Sequence, residues 1–249
     1  MKDTQKSEQE FFDNAYDTDA RKSVGQIYSL IGNRNRRYEE LVYRNVHGKR
    51  VLEYGCGQGS HSIEIARRGG TVTGIDISEV GIRQAREAAE AAGVSGATYE
   101  VMDAMDMTFE NGTFDLVIGE GILHHLDLDR SYGEISRVLK PGGKAIFMEP
   151  LGHNPAIWLF RTLTPRLRTD DEHPLMRRDL KLADKYFEET SFEYFHLSSF
   201  AALALIKTPW FFQTVNFFDK VDAGLFKVVP PLGLLSWYCI MIMGRSETS

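Results

Sequence analysis

Val51-Leu52-Glu53-Tyr54-Gly55-Cys56-Gly57-Gln58-Gly59 is an apolar run that passes directly into three alternating glycines. Such a run makes a strand and then a tight turn. Glycine takes up left-handed backbone at no steric cost, so backbone N–H groups can approach a ligand just before a helix N-terminus. Two further stretches extend the pattern, Thr73-Gly74-Ile75-Asp76-Ile77 and Glu100-Val101-Met102-Asp103-Ala104. Asp76 follows the glycine loop by about 20 residues, the spacing at which a doubly wound sheet presents a carboxylate to the two hydroxyls of a ribose. Read singly, the glycines are also a plain strand-to-helix turn and Asp76 an ordinary strand-end cap; as an ordered set they describe strand ends that bind a nucleoside.

Working outward, the rhythm is that of alternating strands and helices. Ser78 is placed to cap a helix in which Ile82, Ala85, Ala89 and Ala92 share one face, and Gly93–Gly96 ends it. Strands are predicted near 97–101, 114–119 and 144–149. A helix carrying Tyr132, Ile135 and Leu139 precedes the turn Lys140-Pro141-Gly142-Gly143. Alternation of this kind makes a parallel sheet with helices on both faces, the α/β class. Residues 8–46 read as polar-faced helices, and two more strands are expected near 191–197 and 236–244.

The glycine spacing separates two cofactor classes. The dinucleotide fingerprint G-x-G-x-x-G needs a third glycine where this chain has Ser60; here the third glycine comes one place early, at Gly59. The pattern is E-x-G-x-G-x-G. With Asp103-Ala104 after the third strand and Phe114-Asp115-Leu116-Val117-Ile118 as the fourth, the chain resembles the class I S-adenosylmethionine-dependent methyltransferases of small molecules, over roughly residues 35–150. The resemblance implies a Rossmann-like, doubly wound, seven-stranded mixed sheet of order 3-2-1-4-5-7-6 whose last strand is antiparallel. It implies S-adenosylmethionine as cofactor and S-adenosylhomocysteine as product. Glu53, Gly55, Gly57 and Gly59 would line the methionine end, Asp76 would hold the ribose and Ile77 would lie against the adenine. Asp103 would accept from the adenine amino group, Ala104 would donate its N–H to the ring, and Gly119 would face the aminoacyl part.

A methyl group on a sulfonium is already activated, so the enzyme has mainly to hold the acceptor in line. A hydroxyl or ammonium acceptor must also lose a proton, which suits a histidine. His124 and His125 follow the fourth strand, where an acceptor would sit, and are the first base candidates; a histidine there also packs under the loop in many relatives. His153 is the next, with His173, Tyr16 and Tyr28 as substrate-contacting positions. No metal is expected, because adjacent histidines share no helix face and no i, i+4 ligand pair accompanies them. Arg34, Arg36 and Arg37, or Arg161, Arg166 and Arg168, could clamp an anionic group or simply be solvated.

The composition agrees: 249 residues, 43% hydrophobic and 26% charged, suffice for one sizeable core. A net charge of −6 disfavours general nucleic-acid binding. Cys56 and Cys239 lie far apart with no C-x-x-C, which indicates neither disulfide nor zinc, and Cys56 reads as a small buried residue rather than a nucleophile. The polar start Met1-Lys2-Asp3-Thr4-Gln5-Lys6 lacks a signal-like apolar core, so a cytoplasmic location is expected.

The expected organisation is an N-terminal helical cover, 1–46, and a methyltransferase domain, 47–249, with insertions at 150–190 and 198–235 forming a substrate lid. The second insertion is rich in Phe, Trp and Leu. It reads as core or homo-oligomer contact, as a lid over an apolar substrate, or as a membrane-surface contact, which is the least favoured. Lys207 and Asp219 interrupt the apolar run, and Pro230-Pro231 and Gly233 break the next one, so neither spans a bilayer. The function expected is methyl transfer to O, N or C of a small, partly apolar molecule. The alternatives are an S-adenosylmethionine-binding protein without methyl transfer and, third, a nicotinamide-dependent oxidoreductase.

Overall fold

The structure, a computed structural model, describes residues 32–155, 173–205 and 207–247, with the single positions 9, 13, 158 and 162. Tyr16, Tyr28, Arg161, Arg166 and Arg168 lie outside the described residues, as does most of the expected N-terminal cover. What is described of that cover is helix α1 (Gly32–Tyr43). The chain continues as β1 (Arg50–Tyr54), α2 (Ser60–Arg67), β2 (Thr71–Asp76), α3 (Glu79–Ala91), β3 (Ala97–Val101), β4 (Phe114–Glu120), α4 (Leu128–Val138) and β5 (Leu139–Pro150). Then come α5 (Arg177–Leu182), β6 (Glu189–Phe195), α6 (Phe211–Val228) and β7 (Tyr238–Gly244).

The seven strands form one sheet in the order β3-β2-β1-β4-β5-β7-β6. β1 to β5 pair in parallel, and β7 runs antiparallel to both β5 and β6. Strand order and the reversed last strand are as the resemblance implied. The central strands read as unbroken apolar runs because helices cover both faces. Successive residues alternate between the two cores with the period of two that a pleated strand imposes. Val51, Ile118, Ile146 and Ile240 pack with Tyr38 and Val42 of α1 and Ile65 of α2. Their neighbours Leu52, Val117, Phe147 and Met241 pack with Tyr132 and Ile135 of α4 and Leu180 of α5. Ser78 caps α3 by accepting from the Gly81 N–H at 3.0 Å.

Three boundaries differ from expectation. β5 begins at Leu139, and the Lys140–Gly143 turn falls inside it as a register shift between the Phe114–Leu139 and Leu116–Lys144 pairs. β6 runs two residues earlier than expected, because His196 adopts φ +65° and stops the strand. The next two N–H groups, of Leu197 and Ser198, turn to the Asp222 carboxylate instead of continuing the ladder. β7 starts at Tyr238, after a 3₁₀ turn over Pro230–Leu235.

Candidate functional site at the carboxyl edge of the sheet

The parallel strands β1 to β5 end at one edge, where the motif residues converge. Gly55, Gly57 and Gly59 have φ of +74°, +48° and +73°, the left-handed region that side chains disfavour. A Cβ at Gly59 would stand 2.7 Å from Tyr99 Cε1, so the loop also lies too close to β3 for a side chain. The Asp76 carboxylate ties this loop to the next helix: Gly57 N–H donates to Oδ2 at 2.8 Å and Ser78 N–H to Oδ1 at 2.9 Å. Burial pushes the Asp76 carboxyl up from its usual range, against the downward pull of those N–H groups. Each oxygen retains a lone pair for a further donor. Asp13 reaches the same corner, accepting from the Ser78 hydroxyl and, at 3.3 Å, from the Val80 N–H.

Glu53 is buried and its Oε2 accepts from the Ser62 N–H at 2.9 Å and from the Ser62 hydroxyl, which fastens the end of β1 to the first turn of α2. Burial raises its pKa, opposed by the nearby His61 and the Ser62 bonds. Asp103 Oδ1 accepts from the Met105 N–H at 2.8 Å, and the Tyr54 hydroxyl donates to the Ala104 carbonyl at 2.7 Å, so the loop after β3 is held in a fixed turn. Ile77 is half-buried beside Asp76. At Gly119 a Cβ would meet Phe147 Cε1 at 2.5 Å, and its carbonyl accepts from the buried Tyr38 hydroxyl at 3.0 Å. Cys56 is buried, and burial pushes its thiol far up, away from nucleophile chemistry.

The histidines divide by their surroundings. His124 is buried, with Nδ1 2.7 Å from Glu149 Oε2, and its ring lies 4.2 Å from that of the half-buried His125. Glu149, wholly buried, also accepts the Ile122 and Leu123 N–H groups through Oε1. One carboxylate thus holds the whole post-β4 turn. The exposed His173 lies beside this turn, its N–H donating to the His124 carbonyl at 3.0 Å. His153 Nε2 accepts from the Arg177 N–H at 2.9 Å at the start of α5, which commits that lone pair to the backbone. Among the described residues no group of three or more His, Cys, Asp or Glu is arranged to hold a metal ion.

A second constellation escaped the sequence reading. Glu120 closes β4; its Oε2 lies 3.3 Å from His61 Nε2 and its Oε1 accepts from Arg34 Nη2, also at 3.3 Å. The other ring nitrogen of His61 is 2.6 Å from the Tyr43 hydroxyl. The guanidinium carbon of Arg34 lies over the Tyr238 ring, 3.4 Å from its centroid, and Nη1 is buried without a hydrogen-bond partner among the described residues. Glu120 and Glu149 carry the same signal that exposed Asp76, an acid at the carboxyl end of a parallel strand. The partners of Glu120, His61 and Arg34, lie 59 and 86 residues away, beyond any local pattern.

For His61, burial would lower the pKa, but the hydrogen bond to Glu120 and the charge of Glu53 outweigh it and raise it above 6.5. For Glu120, burial would raise the pKa, but His61 and Arg34 hold it below 4.5. A raised histidine adds stability in full below its unfolded value and loses it as pH rises through the folded one; a lowered carboxylate loses its contribution as pH falls through its folded value. The pair is therefore strongest between about pH 4.5 and 6.5. Glu120→Gln should move the His61 titration to lower pH, followed by NMR of the ring protons, and an unmoved midpoint would contradict the pairing.

A family model described as a methyltransferase domain matches residues 51–143, from the first strand to the turn within β5. An uncharacterized methyltransferase of Synechocystis sp. is 34% identical over 143 residues, covering 55% of this chain and 64% of that protein. A ubiquinone biosynthesis O-methyltransferase of Pseudomonas aeruginosa is 36% identical over 118 residues, 47% of this chain and 50% of that protein. The alignments thus span less than two thirds of either relative. Among solved structures, a phosphoethanolamine N-methyltransferase 2 of Haemonchus contortus, in complex with phosphomonomethylethanolamine and S-adenosylhomocysteine, shares the fold. It superposes with a TM-score of 0.66 at 20% identity, covering 96% of this chain and 60% of that one. Residues 51–143 thus carry a methyltransferase domain, and this match together with the strand order supports a class I S-adenosylmethionine-dependent methyltransferase, a family whose cofactor is S-adenosylmethionine.

Proposed function

We propose that the protein moves a methyl group from S-adenosylmethionine to the oxygen, nitrogen or carbon of a small, partly apolar molecule, leaving S-adenosylhomocysteine. The observation that supports this most is the cradle at the strand edge, in which the Asp76 carboxylate is tied to the positive-φ loop and keeps lone pairs for two hydroxyls. The residues present fit the cofactor. Asp76 is suited to the ribose and the turn at Asp103-Ala104 to the adenine, while the buried Arg34 Nη1 is a donor built for an anion, here the carboxylate of the methionine part. When bound, the cofactor supplies a methyl group already activated on a sulfonium.

The chain's own share is positioning and proton removal. Glu149 fixes the turn that carries His124 and His125 beside the fourth strand, so those rings cannot drift from the acceptor's place. His125, half-buried where His124 is buried, is the better placed to take a proton from a hydroxyl or ammonium acceptor. Residues 198–235 serve as the cover that keeps water from the acceptor. His173, Tyr16 and Tyr28 remain the proposed substrate contacts, and His153 a structural cap of α5.

Incubation with S-adenosylmethionine carrying a labelled methyl group and an extract of the source cells tests the reading directly. Label in an organic-soluble product is the expected result; cofactor binding without transfer to any product would overturn it. Arg34→Met should raise the dissociation constant of S-adenosylmethionine by about tenfold to a hundredfold, the loss of one charged hydrogen bond of about 1.5–3 kcal/mol. Decarboxylated S-adenosylmethionine should bind both forms alike in calorimetry, and a variant that weakens both ligands equally would remove Arg34 from this role.

A further inference from the structure

Helix α6 spans 18 residues, Phe211–Val228, and only one side of it packs on the protein. Phe211, Val215 and Asp222 are buried against the turns on either side and the end of β6. About 120° around the helix from them stand Trp210, just before the helix, then Phe217, Val221 and Val228, spaced i, i+7, i+11 and i+18. At 3.6 residues per turn these positions fall within about 40° of one another, a stripe about 27 Å long. They are exposed: Trp210 by 63%, Phe217 by 62%, Val221 by 46% and Val228 by 80%. A monomer rarely leaves so long an apolar stripe in water without a use for it.

The charges of the helix say what the stripe meets. It carries two acids and two lysines. Both acids turn inward. Asp219 Oδ1 accepts from the Ser199 hydroxyl at 2.6 Å and lies 3.0 Å from His196 Nδ1. Asp222 accepts the Leu197 and Ser198 N–H groups and the Ser198 hydroxyl at 2.6 Å. Both lysines, Lys220 and Lys227, stay exposed about 80–100° around the helix from the stripe, and no ion pair among the described residues holds either one. In a chain of net charge −6, this face is apolar and cationic, its acids having been spent on the fold. No helix of the described residues is long and apolar enough to cross a membrane.

We propose that α6 docks the protein on an anionic lipid bilayer, lying in the interface with Trp210, Phe217, Val221 and Val228 among the acyl chains. Lys220 and Lys227 then sit at headgroup level, where anionic lipid attracts them and the lysine stems reach past the apolar stripe. The anchor of the helix is the end of β6, and antiparallel β7 brings that end to the same sheet edge as the carboxyl ends of β1 and β4. The bound surface therefore faces the side on which an apolar acceptor would enter, a link that rests on the function proposed above.

Flotation of the full chain with vesicles tests the docking itself, without any turnover. Vesicles of phosphatidylcholine with about 30 mol% phosphatidylglycerol should carry the protein at least about tenfold better than pure phosphatidylcholine, and less so as salt is raised. Trp210→Ser with Phe217→Ser should lose binding to both compositions, and Lys220→Glu with Lys227→Glu should lose the preference for the anionic one. Calorimetric S-adenosylhomocysteine affinity and circular dichroism, measured on the same variants, should stay at the native level, which separates a failed surface from a failed fold or a failed cofactor site. No flotation of the native chain with anionic vesicles, or equal flotation with both compositions, overturns the proposal. So does a concentration-dependent dimer in light scattering that Trp210→Ser with Phe217→Ser abolishes, since a second copy would then cover the stripe.

Discussion

Asp76→Ala is expected to raise the dissociation constant of S-adenosylmethionine by about a hundredfold to a thousandfold. The carboxylate has two tasks at once. It is the only acid at the end of β2, and it holds the glycine loop in place through the Gly57 and Ser78 N–H groups. Each charged hydrogen bond contributes about 1.5–3 kcal/mol, and tenfold in affinity corresponds to about 1.4 kcal/mol, so losing the proposed ribose contacts alone gives a hundredfold. Releasing the loop adds to it, because two backbone donors then face an apolar methyl group. Asp76→Asn should lie between native and alanine: it keeps one oxygen, while its amide N–H₂ must face a backbone donor. Calorimetry with S-adenosylhomocysteine reads both variants, and native affinity in Asp76→Ala would remove Asp76 from the cofactor site.

Glu149→Ala should be the most destabilising single change at the site, lowering the free energy of unfolding by about 3–5 kcal/mol. Glu149 is wholly buried and accepts three times, from Ile122 N–H at 3.0 Å, Leu123 N–H at 2.9 Å and His124 Nδ1 at 2.7 Å. Alanine strands all three polar groups in the core, and a buried donor left unpaired costs about 1–3 kcal/mol. In a chain of this size the loss corresponds to roughly 10 °C in Tm. Urea unfolding measures it, and a loss under about 1 kcal/mol would show that water or another group replaces the carboxylate with ease. Because this turn carries His124 and His125, turnover should fall along with stability, whereas His125→Ala should lower turnover and leave unfolding near the native value.

The contrast between Asp76 and Glu149 shows how far the chain could be read in one dimension. Both are acids at the ends of parallel strands, but Asp76 stands in a run of motif residues only 19 positions from its loop partner Gly57. Glu149 lies 25 positions from His124, across a helix, with nothing nearby in sequence to mark it. The Leu-His-His stretch pointed at a base; the fold showed that one of its rings is held by a carboxylate. His153 was a further base candidate, and its Nε2 accepts from the Arg177 N–H at the start of α5, a contact no local pattern announces. Arg34 was one of three neighbouring arginines without distinction until the fold buried it on Tyr238.

Local physics explains which features were legible. The succession of strands and helices up to β5, the glycine turn and the Ser78 cap follow from residue spacing, because a helix, a tight turn or a pleated strand is decided within a few residues of itself; the order of the strands in the sheet came with the family resemblance. The sequence by itself therefore determined the architecture and the cofactor edge. Only the tertiary structure decided what meets across that edge: the Tyr43, His61, Glu120 and Arg34 constellation, the three bonds to Glu149, and the turning inward of Asp219 and Asp222 that leaves α6 apolar and cationic outside. Those outcomes depend on contacts between residues 18 to 86 positions apart, where the energy comes from burial and electrostatic pairing that no window of sequence contains.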